Sequence, residues 1–193
     1  MADDHHHEGE DREHDHGGEG HEHHGDHAHH HHDVETLGAA VMTVSTSRTL
    51  DDDPAGDTIA AAFTDAGHEV VTRELIPDDY DRVQATLSNL AGRGDVDVVV
   101  STGGTGVTPD DVTVEAARPL FGKSLPGFGE LFRRLSYDEI GTKVVGTRAV
   151  AGIADGTPVF CLPGSENAAL LGAEEIVVPE AGHLSGLASR DEG

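Results

Sequence analysis

From residue 37 onward, short apolar runs alternate with stretches of helical periodicity, and this alternation restricts the possible folds more than any other feature of the chain. A buried strand fits Leu37 to Val44. A helix follows, with Ile59, Phe63 and Ala66 on one face, Asp57 as its expected N-terminal cap and Gly67 just past its end. A second strand fits Glu69 to Ile76. Tyr80, Val83, Leu87 and Leu90 then share a helical face that ends near Gly92, and Asp97 to Val100 reads as a third strand. Strand, helix, strand, helix, strand at this spacing predicts βαβ units and a parallel sheet, with right-handed crossovers placing helices on both faces. Further along, Phe128, Leu131, Phe132 and Leu135 mark another helix. Thr147 to Ile153 and Pro158 to Leu162 read as strands joined by the turn Asp155-Gly156. A helix apolar at Ala168 and Leu171 follows Pro163-Gly164-Ser165, and the chain reads as helical again up to about Ala188. The expected fold is α/β: three layers, with a mostly parallel central sheet.

The third strand runs directly into Ser101-Thr102-Gly103-Gly104-Thr105-Gly106. Open α/β sheets bind ligands at the carboxyl ends of their strands. Glycines there let the backbone approach a phosphate or a planar ring, and free N–H groups can cradle oxyanions. Two familiar phosphate loops are excluded. A Gly-x-Gly-x-x-Gly count from Gly104 meets Pro109, and a Walker A count ending at Gly122-Lys123-Ser124 meets Ala117. Carboxylates flank the same edge, Asp78 and Asp79 after the second strand, Asp110 and Asp111 after the glycine segment. One or two carboxylates with phosphate oxygens and water suit Mg²⁺ beside a nucleoside triphosphate. Acidic residues are so common in this chain that charge alone would make any one of them a surface group. Arg48 and Arg148 are the best-placed phosphate clamps by residue type.

Charge divides the chain in two. Acidic residues outnumber Lys plus Arg by 37 to 12, for a net charge of -25, and thirteen of the 15 histidines precede Asp33. Residues 1–33 hold 11 acids, one arginine and almost no apolar side chain, so this segment lacks the area to offset chain entropy and is expected to be a disordered tail. Residues 34–193, the expected single domain, carry 26 acids against 11 bases. Such a surface would repel nucleic acid and anionic membrane alike. No run approaches the roughly 20 apolar residues of a spanning helix, and the charged start is no signal peptide. The single cysteine, Cys161, agrees with a cytoplasmic location. With two lysines, scarce aromatics and abundant Asp, the balance suits a halophilic protein, in which salt screens self-repulsion. In the tail, His5, His6, His7, His21, His23, His24, His29, His30, His31 and His32 put many imidazoles within reach of one ion, which suits Ni, Zn, Cu or Co.

The segment Ser101 to Thr113, with its Thr-Gly-Gly-Thr-Gly-Val-Thr-Pro-Asp-Asp core, resembles the central motif of the Mog/MoaB family of molybdenum cofactor biosynthesis. Leu75-Ile76-Pro77-Asp78, Leu125-Pro126-Gly127-Phe128-Gly129-Glu130, Arg148 to Gly152, and Phe160-Cys161-Leu162-Pro163-Gly164-Ser165 are similar to further segments of that family, in the same order. The resemblance covers about residues 38–187. It implies binding of molybdopterin and assembly as a homo-trimer or a hexamer. In active members it implies Mg-ATP-dependent adenylylation of the pterin phosphate with release of pyrophosphate. Asp78 and Asp111 match the family's functional aspartates, with the implied role of positioning Mg²⁺ and phosphate. Thr102, Gly103, Gly104, Thr105 and Gly106 would line the ligand, with Pro163, Gly164 and Ser165 helping to bind pterin or nucleotide and Ser47 and Arg48 contributing from the first loop. Asn167 stands where adenylylating members often carry lysine, and Thr147 where serine is common.

Three functions therefore stand side by side: a molybdopterin adenylyltransferase; a family member that binds molybdopterin without turnover and hands it to other cofactor-assembly proteins; and a metal-buffering protein whose tail does the work.

Overall fold

A computed structural model describes residues 34–189, and the histidine-rich segment lies outside the described residues. Six strands form one sheet in the order β2-β1-β3-β6-β5-β4. β1 (Gly38–Val44), β2 (Glu69–Ile76), β3 (Val98–Thr102) and β6 (Thr157–Leu162) pair in parallel. β5 (Val150–Ala154) runs antiparallel to β6 and to the two-residue edge strand β4 (Lys123–Ser124). The β5–β6 turn places Asp155 and Gly156 at φ 49° and 80°. Two successive residues at positive φ match the right-handed twist of a tight hairpin.

Helices cover both faces. α1 (Pro54–Asp65), α4 (Pro126–Ile140), α5 (Glu166–Gly172) and α6 (Val178–Ala188) pack on one side, where Val41, Ile59, Phe63, Phe132, Phe160 and Leu162 meet. A single π-helical stretch, Ala173–Val177, joins α5 to α6. α2 (Tyr80–Ala91) and the short α3 (Thr113–Ala117) cover the other face over Met42, Val44, Leu87, Leu90 and Val99. Strand residues alternate between the two cores, Val98 and Val100 to one and Val99 to the other. That is why these strands read as continuous apolar runs rather than as alternation with polar residues.

Three sequence expectations need correction, and two short elements were not foreseen. Asp57 is not the cap of α1. Asp53 is: its carboxylate accepts from the Gly56 N–H, and Pro54 sits where a missing N–H costs nothing. Asp57 instead pairs with Arg73 across the first turn. β3 extends to Thr102 because Ser101 and Thr102 pair with both neighbouring strands. The strand expected from Thr147 begins only at Val150, where the pairing with β6 starts opposite Cys161, next to the end of β6 at Leu162. α3 and β4 were too short to show a period.

Candidate functional site

The four parallel strands release their carboxyl ends on one edge, and the chain reverses its direction of travel across the sheet between β1 and β3. Such a switch point opens a crevice. Here it is a cavity of about 510 Å³, within the size range of small-molecule sites. β1 supplies Thr43 to Arg48, β2 supplies Asp78, β3 supplies Thr102 to Gly106, and β6 supplies Pro163 and Gly164; Asp111, Gly146 and Thr147 complete the wall.

The glycine segment is pinned rather than loose. Gly103 N–H donates to Leu162 O at 3.0 Å, Thr102 Oγ1 donates to Pro163 O at 2.9 Å, and Thr113 ties down Gly103 O and Gly104 O from the start of α3. Gly103 has φ +96°, and a Cβ there would lie 2.2 Å from Val44 O. Only glycine lets β1 and β3 approach this closely at the crevice.

Each of the two expected site aspartates is held by a threonine. Thr46 N–H and Oγ1 both donate to Asp78 Oδ2, at 2.8 and 2.9 Å. Thr108 N–H and Oγ1 both donate to Asp111 Oδ2, at 2.8 and 2.6 Å. Partial burial pushes the Asp111 carboxyl upward. The two Thr108 donors, the Gly106 N–H and the charge of Arg148 outweigh it and hold the group below the usual carboxylate value. Asp111 is therefore an anion at neutral pH. Two carboxylates on one cavity form a hard-oxygen set of the kind Mg²⁺ prefers.

The other expected site residues divide. Ser47 lines the cavity, and its N–H donates to Ser45 Oγ. Arg48 is the only cation among the lining residues, bridging to Gly164 O at 3.3 Å and to Asp53 at 3.5 Å. Arg148 lies behind the loop. Its guanidinium donates to Thr105 O, Asp111 O and both oxygens of Glu115, so it fastens the glycine segment to α3 and does not line the cavity. Glu115 is held below its usual value first by that Arg148 hydrogen bond, which prevails over desolvation. Ser165 caps α5 through Ala168 N–H and lines an adjoining cavity of about 540 Å³ between α4 and α5, which shares Thr147 and Pro163 with the first. Asp79 caps α2, and Asp110 does not line the cavity.

Sequence reading missed Thr43, Ser45, Thr46, Asp53 and Thr108. Their polar side chains look like ordinary loop composition. The one available signal was position: Thr43, Ser45, Thr46 and Thr108 lie at a strand end or within three residues of a matched aspartate or arginine, and Asp53 directly precedes the Pro54 that opens α1.

The family described as a probable molybdopterin binding domain matches residues 40–183. This chain belongs to the Mog/MoaB family of molybdenum cofactor biosynthesis proteins. Molybdenum cofactor biosynthesis protein B of Halalkalibacterium halodurans is 40% identical to it over 151 residues, 78% of this chain and 89% of that one. A crystal structure of a molybdenum cofactor biosynthesis protein B superposes with TM-score 0.78 at 36% identity, covering 82% of this chain and all of the other. The tungsten cofactor synthesizing protein MoaB from Pyrococcus furiosus superposes with TM-score 0.72 at 39% identity, covering 81% and 99%. The family resemblance and the α/β architecture read from the sequence both hold. Among the described residues, no helix is long and apolar enough to cross a membrane.

Proposed function

We propose that the chain adenylylates molybdopterin with Mg-ATP. The observation that carries this reading is the pairing of two threonine-held aspartates with one arginine and a backbone-pinned glycine segment around a single cavity. Nucleotidyl transfer needs charge neutralisation and in-line positioning more than covalent chemistry. A phosphate oxygen of the pterin would attack the α-phosphorus of ATP. The Pα–O bond to the β-phosphate breaks, and pyrophosphate leaves. Mg²⁺ would neutralise phosphate charge, with Asp78 and Asp111 as its protein ligands. Gly104 and Thr105 would present backbone donors, since the Gly103 and Gly106 N–H groups are committed to Leu162 O and Asp111, and Arg48 would supply the one fixed positive charge. Pro163 and Gly164 would bound the ligand on the β6 side, with Ser165 reaching it from the adjoining cavity.

Binding without turnover is the second reading, and one observation favours it. The adjoining cavity presents Glu139, Glu166 and Asn167 and no cation, so nothing there would neutralise a second phosphate chain. Incubation with molybdopterin, ATP and Mg²⁺ in high salt separates the two. Pyrophosphate and adenylylated pterin in equal amounts are expected; tight pterin uptake without either product would leave only the binding reading. By analogy with the family, the assembly is a homo-trimer or hexamer, to be checked by light scattering.

The histidine-rich segment 1–33 supports a separate metal-binding role for Ni, Zn, Cu or Co. Deletion of residues 1–32 should abolish multi-site Ni or Zn binding and leave the oligomer intact. Multi-site binding that survives the deletion would reject the tail as the site.

A further inference from the structure

Asp53 is a buried carboxylate, 1% exposed, that the expected chemistry does not use. Capping α1 does not explain it. A helix N-terminus needs one acceptor for one N–H, and a neutral Asn or Ser supplies that without burying a charge. Asp53 instead gathers four donors. Oδ1 accepts from Gly56 N–H at 3.1 Å and faces Arg48 Nη1 at 3.5 Å; Oδ2 accepts from Thr43 Oγ1 at 2.6 Å and from Arg73 Nη2 at 3.1 Å. Local sequence is shaped to admit it: a Cβ on Gly56 would lie 2.0 Å from Asp53 Oδ2.

Two of those partners, Arg48 and Thr43, line the cavity. The guanidinium of Arg48 is therefore anchored twice, to the buried carboxylate and to Gly164 O. A long, flexible side chain held at two points keeps its charge at one place on the cavity wall. Arg73 shares the negative charge of Asp53 and also pairs with Asp57. The carboxylate is thus not neutralised by Arg48 alone, and Arg48 retains positive charge toward the cavity.

We infer that Asp53 is a positioning residue for anion binding: it holds Arg48 where the ligand's phosphate is met. This rests on the reading of the cavity as a molybdopterin site. In a chain of net charge -25, with Asp78 and Asp111 on the same cavity, the fixed position of the one basic side chain that lines it sets where the protein itself attracts a phosphate.

The test uses the full chain in high salt, with molybdopterin binding measured by fluorescence titration. Asp53→Asn keeps a good cap and removes the charge. It should raise the Kd about tenfold, with Arg48→Ala doing the same and the double variant no worse than either single, as expected for residues acting as a unit. Arg73→Ala should lower the melting temperature and leave the Kd within about twofold, because Arg48 keeps its anchor. Thr43→Val, nearly isosteric, provides a second route: loss of its donor should raise the Kd several-fold even if Asp53→Asn does not fold. Unchanged affinity in Asp53→Asn or, should it not fold, in Thr43→Val overturns the inference, as does a double variant whose loss is the product of the two singles. Wild type that takes up no molybdopterin overturns the underlying reading, and the inference with it.

Discussion

Thr46 and Asp78 are locked to each other across 32 residues of sequence: Thr46 gives its N–H and its hydroxyl to one Asp78 oxygen, and its hydroxyl oxygen takes the Asp78 N–H in return. The loop after β1 and the end of β2 are thus one unit. Removing the hydroxyl by Thr46→Val leaves the N–H donor in place. Because the pair is exposed, the stability cost should stay within about 1 kcal/mol. If the pair serves turnover, kcat should fall about tenfold, since a small misplacement of a positioning group is costly. A melting temperature that collapses would instead make Thr46 a folding residue.

Asp111 is held below the ordinary carboxylate value, so its interactions with Thr108 and Gly106 stabilise the native state above that value. The contribution is lost as pH falls below about 4 toward the depressed native value. The melting-temperature difference between wild type and Asp111→Asn should therefore be constant from pH 7 to about 5 and shrink below about 4. A difference that grows on acidification would reverse the sign. At neutral pH the same substitution should cut turnover far more than pterin affinity.

Gly103→Ala combines a backbone φ of +96° with a Cβ 2.2 Å from Val44 O. β1 or β3 would have to shift, at a cost of about 3 kcal/mol or more. Urea denaturation should show this, and the soluble fraction should bind no pterin. Wild-type stability in this variant would mean that the crevice is wider than described.

Cys161 is fully buried in β6, and desolvation pushes its thiol up to about 11. Alkylation at pH 8 should require opening of the sheet. Its rate should rise by orders of magnitude in denaturant and slow further when ligand stabilises the native state. Fast labelling of the native protein would contradict the burial.

The acidic surface leads to a salt dependence. Residues 34–193 carry 26 acids against 11 bases, and without screening this charge repels itself. Dialysis to low salt should lower the melting temperature. No fall on desalting would reject adaptation to concentrated salt.

Local chemistry in the sequence determined much of this protein. β1, β3 and α2 were readable because short apolar runs and a Val83-Leu87-Leu90 stripe record the burial that water enforces on any chain. The glycine segment was readable because a strand running into glycines needs a backbone-level reason. Position at the strand ends marked Asp78, Asp79, Asp110 and Asp111 alike, and only family resemblance picked out Asp78 and Asp111 among them. Tertiary structure alone decided what each polar group does. Arg48 and Arg148 are the same residue type and were equal candidates, yet Arg48 is held at the cavity by Asp53 and Gly164, whereas Arg148 is committed behind the loop to Thr105, Asp111 and Glu115. Thr46 became the clamp of Asp78, and Asp53 a buried anchor, through contacts that only the folded sheet edge creates, whereas Thr108 holds Asp111 within a local turn. Hydrophobic burial leaves a periodic record along the chain, whereas hydrogen bonds between distant loops leave none, because their partners meet only after the strands have paired.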